Sequence, residues 1–301
     1  MWRLQKPQPE VEGAAEAFDR LRPRLTRIAY RMLGSVSEAE DMVQEAYLRW
    51  HGADRAAVRE PAAFLARTVT RLCLDHLKSA RARRESYVGM WLPEPLVDDA
   101  PAPDEGDPDE LSLVLMMALE RLSPLERAAF LLHDVFDLPF EEVSAAIGRD
   151  PATCRQLASR ARAHVRTDRP RFRLDAQQGE DIARAFFTAA YSGDVEGLQK
   201  LLAQEVVSYA DGGGKRPAFP EPILGQEKVV RMFAMLAEKG GPEPPRFIRF
   251  AMIDGLPGYL AVDRHGVFHT TALEVMDGRI KAIFTMRNPD KLRHLEAMGE
   301  G

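Results

Sequence analysis

Arg155, Gln156, Ser159 and Arg160 stand in the stretch RDPATCRQLASRARAHVRTDRPRFR, Arg149 to Arg173, of a chain whose net charge is -5. Guanidinium groups pair bidentately with guanine and side-chain amides suit adenine, so Arg155, Gln156 and Arg160 are of the types that read base edges in a duplex groove. Arg162, Arg166, Arg169, Arg171 and Arg173 are better placed to neutralise phosphates, which gives affinity without sequence information. An arginine-rich helix face is most often merely solvated; here the segment just upstream favours DNA. A second charged set lies in SVSEAEDMVQEAYLRW, where Glu38, Asp41 and Glu45 share one side with Gln44 beside them. Carboxylates repel DNA and suit a basic protein surface. The following segment turns Arg67, Arg71, Lys78 and Arg81 outward, and Arg55 and Arg59 lie in the polar loop between the two. One module then faces a basic protein on one side and nucleic acid on the other, although either helix alone reads as ordinarily amphipathic.

Groups capable of acid–base work in the C-terminal third are Tyr209, Asp211, His269 and Glu274. A lone histidine in a strand is more often a satisfied structural residue, and His265 with His269 makes no metal set without further ligands. Neither catalysis nor a cofactor is expected.

The elements that hold these groups follow from apolar spacing. Ala39, Met42, Val43, Ala46, Tyr47 and Trp50 recur on one helical face, with Ser37 the expected N-cap. A second helix starts near Pro61 and buries Phe64, Leu65, Thr68, Val69 and Leu72. Ser123 and Pro124 read as a cap and first-turn proline, PFEEVSAAIG as a short helix ending at Gly148, and Asp150 with Pro151 as the start of a final helix packed through Cys154, Ala158, Ala161 and Val165. Helix, glycine turn, helix is a helix-turn-helix pattern. From Gly179 two helical segments, a strand EVVSYA, the turn DGGGK and a third helix precede four alternating segments separated at Asp254-Gly255, His265-Gly266 and Asp277-Gly278. Helices followed by an antiparallel meander indicate an α+β domain.

Between the helical parts, residues 85–110 hold nine acidic residues, five prolines and no basic residue, which predicts an extended linker. Its sticky portion is MWLPEPL, where Trp91 and Leu92 are either a small anchor onto a neighbouring domain or a partner-binding element. At 301 residues, 45% hydrophobic and 29% charged, the chain is long enough for two or three folded domains. Cys73 and Cys154 suggest neither disulfide nor zinc site, and the longest apolar run, LVLMMAL, is far shorter than a membrane span. A cytoplasmic protein with no membrane association is expected.

SEAEDMVQEAYLRW with PAAFLARTVTRLCLDHLKSARARR resembles region 2 of the bacterial sigma-70 superfamily, and LSPLERAAFLLHDVFDLPFEEVSAAIGRDPATCRQLASRARAHV resembles region 4. The acidic linker in place of a region 3 matches the extracytoplasmic-function group. WLPEPL, DGGGK and NPDKL resemble marks of the sigma-J-type subgroup, which carries a fused SnoaL-like, NTF2-type C-terminal domain. The resemblance implies two all-α sigma modules followed by an α+β cone: region 2 at 14–84, linker at 85–110, region 4 at 111–170 and regulatory domain at 175–297. It further implies that Asp41, Gln44 and Glu45 dock on the β′ clamp helices of core RNA polymerase and that region 4 meets the β flap. Arg55, Arg59, Arg67, Arg71 and Lys78 would contact the -10 promoter element, and Arg155, Gln156, Ser159, Arg160 and Arg162 the -35 element. The loop from Asp54 to Glu60, which matches the family's segment that captures a flipped base of the melted -10 element, lacks an aromatic residue, and Cys154 stands where the family more often has a branched aliphatic. Trp91, Leu92 and Pro93 with Asp211, Gly212, Gly213, Gly214 and Lys215 would fix how the C-terminal domain sits on the sigma modules. Asn288, Pro289, Asp290, Lys291 and Leu292 would tune that fit, and an unidentified small ligand could occupy the apolar pocket. The expected function is promoter-directed transcription initiation; the alternatives are a stand-alone helix-turn-helix regulator and a SnoaL-type isomerase or cyclase.

Overall fold

The structure, a computed structural model, describes residues 14–54, 58, 60–85, 87–98, 113–165, 176–240, 246–263 and 265–299. Three helices open it: α1 (Ala14–Leu33), α2 (Val36–His51) and α3 (Pro61–Glu85). Gly34, in the left-handed region at φ 69°, ends α1 and lets Ser35 extend at φ -132°, ψ 128°. The N-cap of α2 is therefore Ser35, whose Oγ accepts from the Glu38 amide at 3.2 Å, and not Ser37 as the sequence suggests. Ser37 already lies in the first turn, its hydroxyl 3.1 Å from that of Ser35.

Helix α4 (Leu113–Glu120) precedes α5 (Pro124–Phe130), which has a capping box between Ser123 and Glu126 and runs into a π turn, Leu131–Val135. Helices α6 (Phe140–Ile147) and α7 (Pro151–Val165) follow, joined through Gly148 at φ 67°. One continuous core joins these elements to the first three helices. Leu33, Val43, Leu65 and Val69 pack in the same cluster as Phe130, Leu131, Val143, Cys154 and Ala158. Arg31, only 1% exposed, lies with its guanidinium 5.2 Å from the Phe136 ring, and Arg24 donates to the Phe136 carbonyl at 2.8 Å. Cationic side chains of α1 thus cover the end of the π turn.

Helices α8 (Ala176–Ser192), α9 (Val195–Leu201) and α10 (Gln226–Gly240) lie with a seven-stranded sheet ordered β1-β4-β5-β6-β7-β2-β3. Its strands are β2 (Leu202–Asp211), β3 (Ile223–Leu224), β4 (Phe247–Ile253), β5 (Leu256–Val262), β6 (Phe268–Met276) and β7 (Arg279–Met286), with β1 (Val97–Asp98) at one edge. Strands β4 to β7 form an antiparallel meander, and β2 joins β7 in parallel. Two hairpins turn through Asp254-Gly255 and Asp277-Gly278, all four residues with positive φ, the conformation that favours Asp-Gly. The β1 edge comes from the linker: Val97 pairs with Ile253 and Asp98 with Met252. Residues 99–112, which include much of the linker's acid, lie outside the described residues.

Both faces of the sheet are covered. On one, Phe186, Leu198, Val206, Val229, Tyr259 and Leu273 form the core with α8, α9 and α10. On the other, Leu260, Ala272, Phe284 and Met286 pack against Leu92, Leu113 and Val114 from outside the sheet's own helices, together with Leu292 and Leu295.

Candidate nucleic-acid and polymerase interface

Helix α7 is preceded by Asp150, whose carboxylate caps it by accepting from the Thr153 amide at 3.0 Å and the Thr153 hydroxyl at 2.6 Å. These hydrogen bonds hold its carboxyl below the usual carboxylate range. Cys154, Leu157, Ala158, Ala161 and Val165 are buried, leaving Arg155, Gln156, Ser159 and Arg160 exposed and Arg162 half-buried on the remaining face. Arg155 lies 3.8 Å from Glu141 and 5.4 Å from the Phe140 ring centroid. Arg160 is 3.8 Å from Glu126, and Arg162 is 2.5 Å from Asp134. The Ser123 hydroxyl, with Arg160 adding to it, holds the Glu126 carboxyl low. Arg166, Arg169, Arg171 and Arg173 lie outside the described residues.

On α2, Ala39, Val43, Ala46 and Trp50 are buried, which turns Asp41 and Gln44 to solvent; Glu45 is half-buried and pairs with Arg49 at 3.0 Å. Leu48, on the same side, is 59% exposed. Glu38 departs from this face: its carboxylate is 3.0 Å from His76 on α3. On α3, Arg67 sits 5.9 Å from the Phe64 ring centroid and Lys78 bonds Asp75 at 2.8 Å. Arg71 reaches across to α6, donating to the Ala145 carbonyl at 2.6 Å and the Ala146 carbonyl at 3.2 Å. Those are last-turn carbonyls, where a helix carries partial negative charge. Arg55 and Arg59 lie outside the described residues.

A buried polar cluster gathers all three motifs WLPEPL, DGGGK and NPDKL around Asp211, which is fully buried. One carboxylate oxygen accepts from the Tyr87 hydroxyl at 2.5 Å and the Gly213 amide at 3.0 Å; the other accepts from the Leu92 amide at 2.9 Å and Lys291 Nζ at 2.8 Å. Lys291 also donates to the Leu92 carbonyl at 2.5 Å and lies 4.0 Å from the Trp91 ring centroid and 4.8 Å from that of Tyr87. Asn288 donates to the Tyr87 hydroxyl at 2.7 Å and accepts from the Asp290 amide, while Asp290 pairs with Lys215. A Cβ on Gly213 would stand 2.3 Å from the Asn288 side chain, so the turn needs glycine there. Burial above all, with Asp211 beside it, raises the Tyr87 phenol pKa well above its ordinary value.

Sequence spacing does not reveal a second cluster, on the other side of the strap formed by residues 87–98. Glu94 accepts from the Ser35 hydroxyl at 2.8 Å and the Val36 amide at 2.7 Å, placing an anion at the N-terminus of α2. Tyr30 donates to the Glu94 carbonyl at 2.8 Å and is 3.0 Å from Asp254 Oδ1, which also accepts from the Leu96 amide at 3.2 Å. His294 approaches the Pro95 carbonyl at 2.8 Å. The only cue in sequence is Glu94 itself, a lone charge between two prolines.

The four acid–base candidates do not converge. Tyr209 stacks on Phe284 at 5.2 Å, on the face toward the strap, and Asp211 is engaged as described. His269 lies on the opposite face, 6.2 Å from the Tyr259 ring, where burial pulls its pKa down to about 4. Glu274 pairs in register with Ala282 on β7. Between strap and sheet is a cavity of about 10 Å³, lined by Leu92, Pro93, Asp254, Thr270 and Phe284 among others and large enough for roughly one water. Among the described residues no group of three His, Cys, Asp or Glu is arranged to hold a metal, and no helix is long and apolar enough to cross a membrane.

Residues 17–83 match the family described as Sigma-70 region 2, and residues 112–165 match Sigma-70, region 4. The chain is 37% identical over 289 residues to the ECF RNA polymerase sigma factor SigJ of Mycobacterium tuberculosis, covering 91% of each protein. It is 32% identical over 285 residues to the probable ECF RNA polymerase sigma factor SigI of that organism, covering 92% of this chain and 93% of the relative. The crystal structure of M. tuberculosis SigJ superposes with a TM-score of 0.76 at 34% identity, covering 93% of this chain and 98% of that one, so the helical modules and the C-terminal α+β region share its fold. With an exposed arginine face on a helix-turn-helix, an acidic face on α2 and full-length similarity of this kind, the chain belongs to the extracytoplasmic-function sigma factors of the sigma-70 superfamily, which act with RNA polymerase in transcription initiation.

Proposed function

We propose that this sigma factor directs core RNA polymerase to promoters through four contacts and that its C-terminal region governs when they are presented. Asp41, Gln44 and Glu45 on α2 dock on the basic β′ clamp helices, and the region 4 module meets the β flap. Arg155, Gln156, Ser159 and Arg160 read the -35 element, with Arg162 on its phosphates, while Arg67, Arg71 and Lys78, with Arg55 and Arg59, serve the -10 element. The protein acts in the cytoplasm and is not an enzyme: its candidate acid–base groups are dispersed over two faces of the sheet. A small ligand bound between strap and sheet would have to displace strap residues, because the space there is about 10 Å³.

The observation that carries the regulatory reading is the Asp211 cluster, which ties the strap, the glycine turn and the C-terminal motif into one knot. A tethered domain sits at an effective concentration that reaches about millimolar, so modest contacts suffice to hold the compact state. The test is transcription in vitro with purified core polymerase. It compares the full chain with Asp211→Asn, with a chain ending before Asn288 and with one lacking residues 175–301. Promoter-dependent output should change in all three. If all three initiate as the full chain does, the C-terminal region has no governing role.

A further inference from the structure

We propose that the segment from the π turn to the start of α6 positions the DNA-contacting arginines of α7, with Phe140 holding the base-reading Arg155 and Asp134 holding Arg162, whose phosphate contact sets the register of the helix. The inference rests on α7 being the -35 helix and adds the residues that aim it. A π turn widens the helix by one residue and re-aims the side chains it carries. Here the Phe136 amide bonds the Leu131 carbonyl at 3.0 Å and the Leu138 amide bonds the Leu132 carbonyl at 2.9 Å. This turn presents His133 and Asp134 toward α6 and α7. The His133 ring lies 3.8 Å from the Phe140 ring, tilted by 31°, with its Nδ1 2.9 Å from the Leu138 carbonyl. Phe140 is thus backed by one ring while Arg155 lies 5.4 Å from its centroid.

An arginine resting on an aromatic ring keeps its donor fork available, and pre-ordering the side chain reduces what base pairing must immobilise. The Arg155–Glu141 pair cannot supply that order alone, because at 3.8 Å with side chains 56% and 72% exposed it is weak and screened. Asp134 is a firmer anchor. Its Oδ1 receives Arg162 at 2.5 Å, while its Oδ2 is buried and without a hydrogen-bond partner among the described residues.

The experiment uses the full chain with core polymerase and a promoter library randomised across both elements, first enriched with the unaltered protein. Phe140→Leu keeps apolar bulk and removes the ring; it should flatten base preference by about tenfold at the -35 position that Arg155→Ala also flattens, leaving the other positions unchanged. Phe140→Tyr retains the ring and should preserve the profile. Asp134→Asn should lower the ratio of promoter to non-promoter binding about threefold, with non-promoter binding equal or tighter because a negative charge is lost. A Phe140→Leu profile like the parent's overturns the proposal, as does a uniform loss at every position together with a lowered melting temperature. An Asp134→Asn ratio equal to the parent's overturns its part. If Arg155→Ala leaves every -35 preference intact, the positioning of Arg155 by Phe140 falls; if Gln156→Ala and Arg160→Ala leave them intact as well, the assignment of α7 itself falls.

Discussion

Asp211 is charged, fully buried and tolerable only because four donors converge on it. Removing its charge takes from Lys291, whose side chain is 10% exposed, the carboxylate it pairs with, and breaking such a buried pair costs about 3–5 kcal/mol. Asp211→Asn should therefore lower stability by that order in urea unfolding, and Lys291→Met in the same chain should recover part of it in a double-mutant cycle. His269 gives a second expectation, with the opposite chemistry. Its pKa in the fold, about 4, lies below the ordinary 6.5, so the unfolded chain binds the extra proton between those values. Stability then rises with pH across that window and falls on acidification from about pH 6.5 toward 4, by about 1.4 kcal/mol per pH unit. His269→Gln should flatten the stability-versus-pH slope between pH 6.5 and 5 by one proton. An unchanged slope would mean the ring is not the group that titrates.

The strap acts as an element although only two of its residues have regular structure. Leu92 fills the sheet face, Val97 and Asp98 extend the β4 edge, and Glu94 caps α2 from the other side. Nothing in its length or composition requires this, since proline-rich acidic segments are normally solvated. It is ordered by partners far away in sequence. Gly34 shows how closely the parts fit: a Cβ there would stand 2.6 Å from the Trp91 ring, on a backbone at φ 69°. Gly34→Ala should destabilise by about 1–3 kcal/mol. Trp91→Ala added to it should relieve the collision and leave the backbone strain, so denaturant midpoints of the pair should be markedly non-additive.

Considered as one body, the free chain is closed. Helices of both sigma modules share a core, and Arg71, assigned to the -10 element, is spent on the α6 carbonyls. If each module serves one promoter element, as proposed, elements set apart along a duplex that rises about 3.4 Å per base pair call for the packed modules to separate. Dyes placed at positions 19 and 145, both exposed and outside the residues assigned to polymerase and DNA, should move apart by tens of ångströms when core polymerase and promoter DNA are added. A distance that stays constant in the transcribing complex would show that the closed packing is the working form.

Local chemistry explains why most of the architecture was readable in advance. Periodic apolar faces, the Ser123 and Asp150 caps and the Asp-Gly turns act within a few residues, and each appears where expected, with the N-cap of α2 two residues earlier because Gly34 decides how the chain leaves α1. The arginine face of α7 and the acid face of α2 were legible for the same reason: burial of one side of a helix dictates what the other side shows. Contacts between residues far apart could not be read this way. Tyr30 with Asp254, Glu94 with Ser35 and Arg71 with α6 join groups 59 to 224 positions apart. No periodicity encodes such pairs; they exist because folding brings buried donors and acceptors together, and a buried polar group must find its partner wherever the packed chain supplies one.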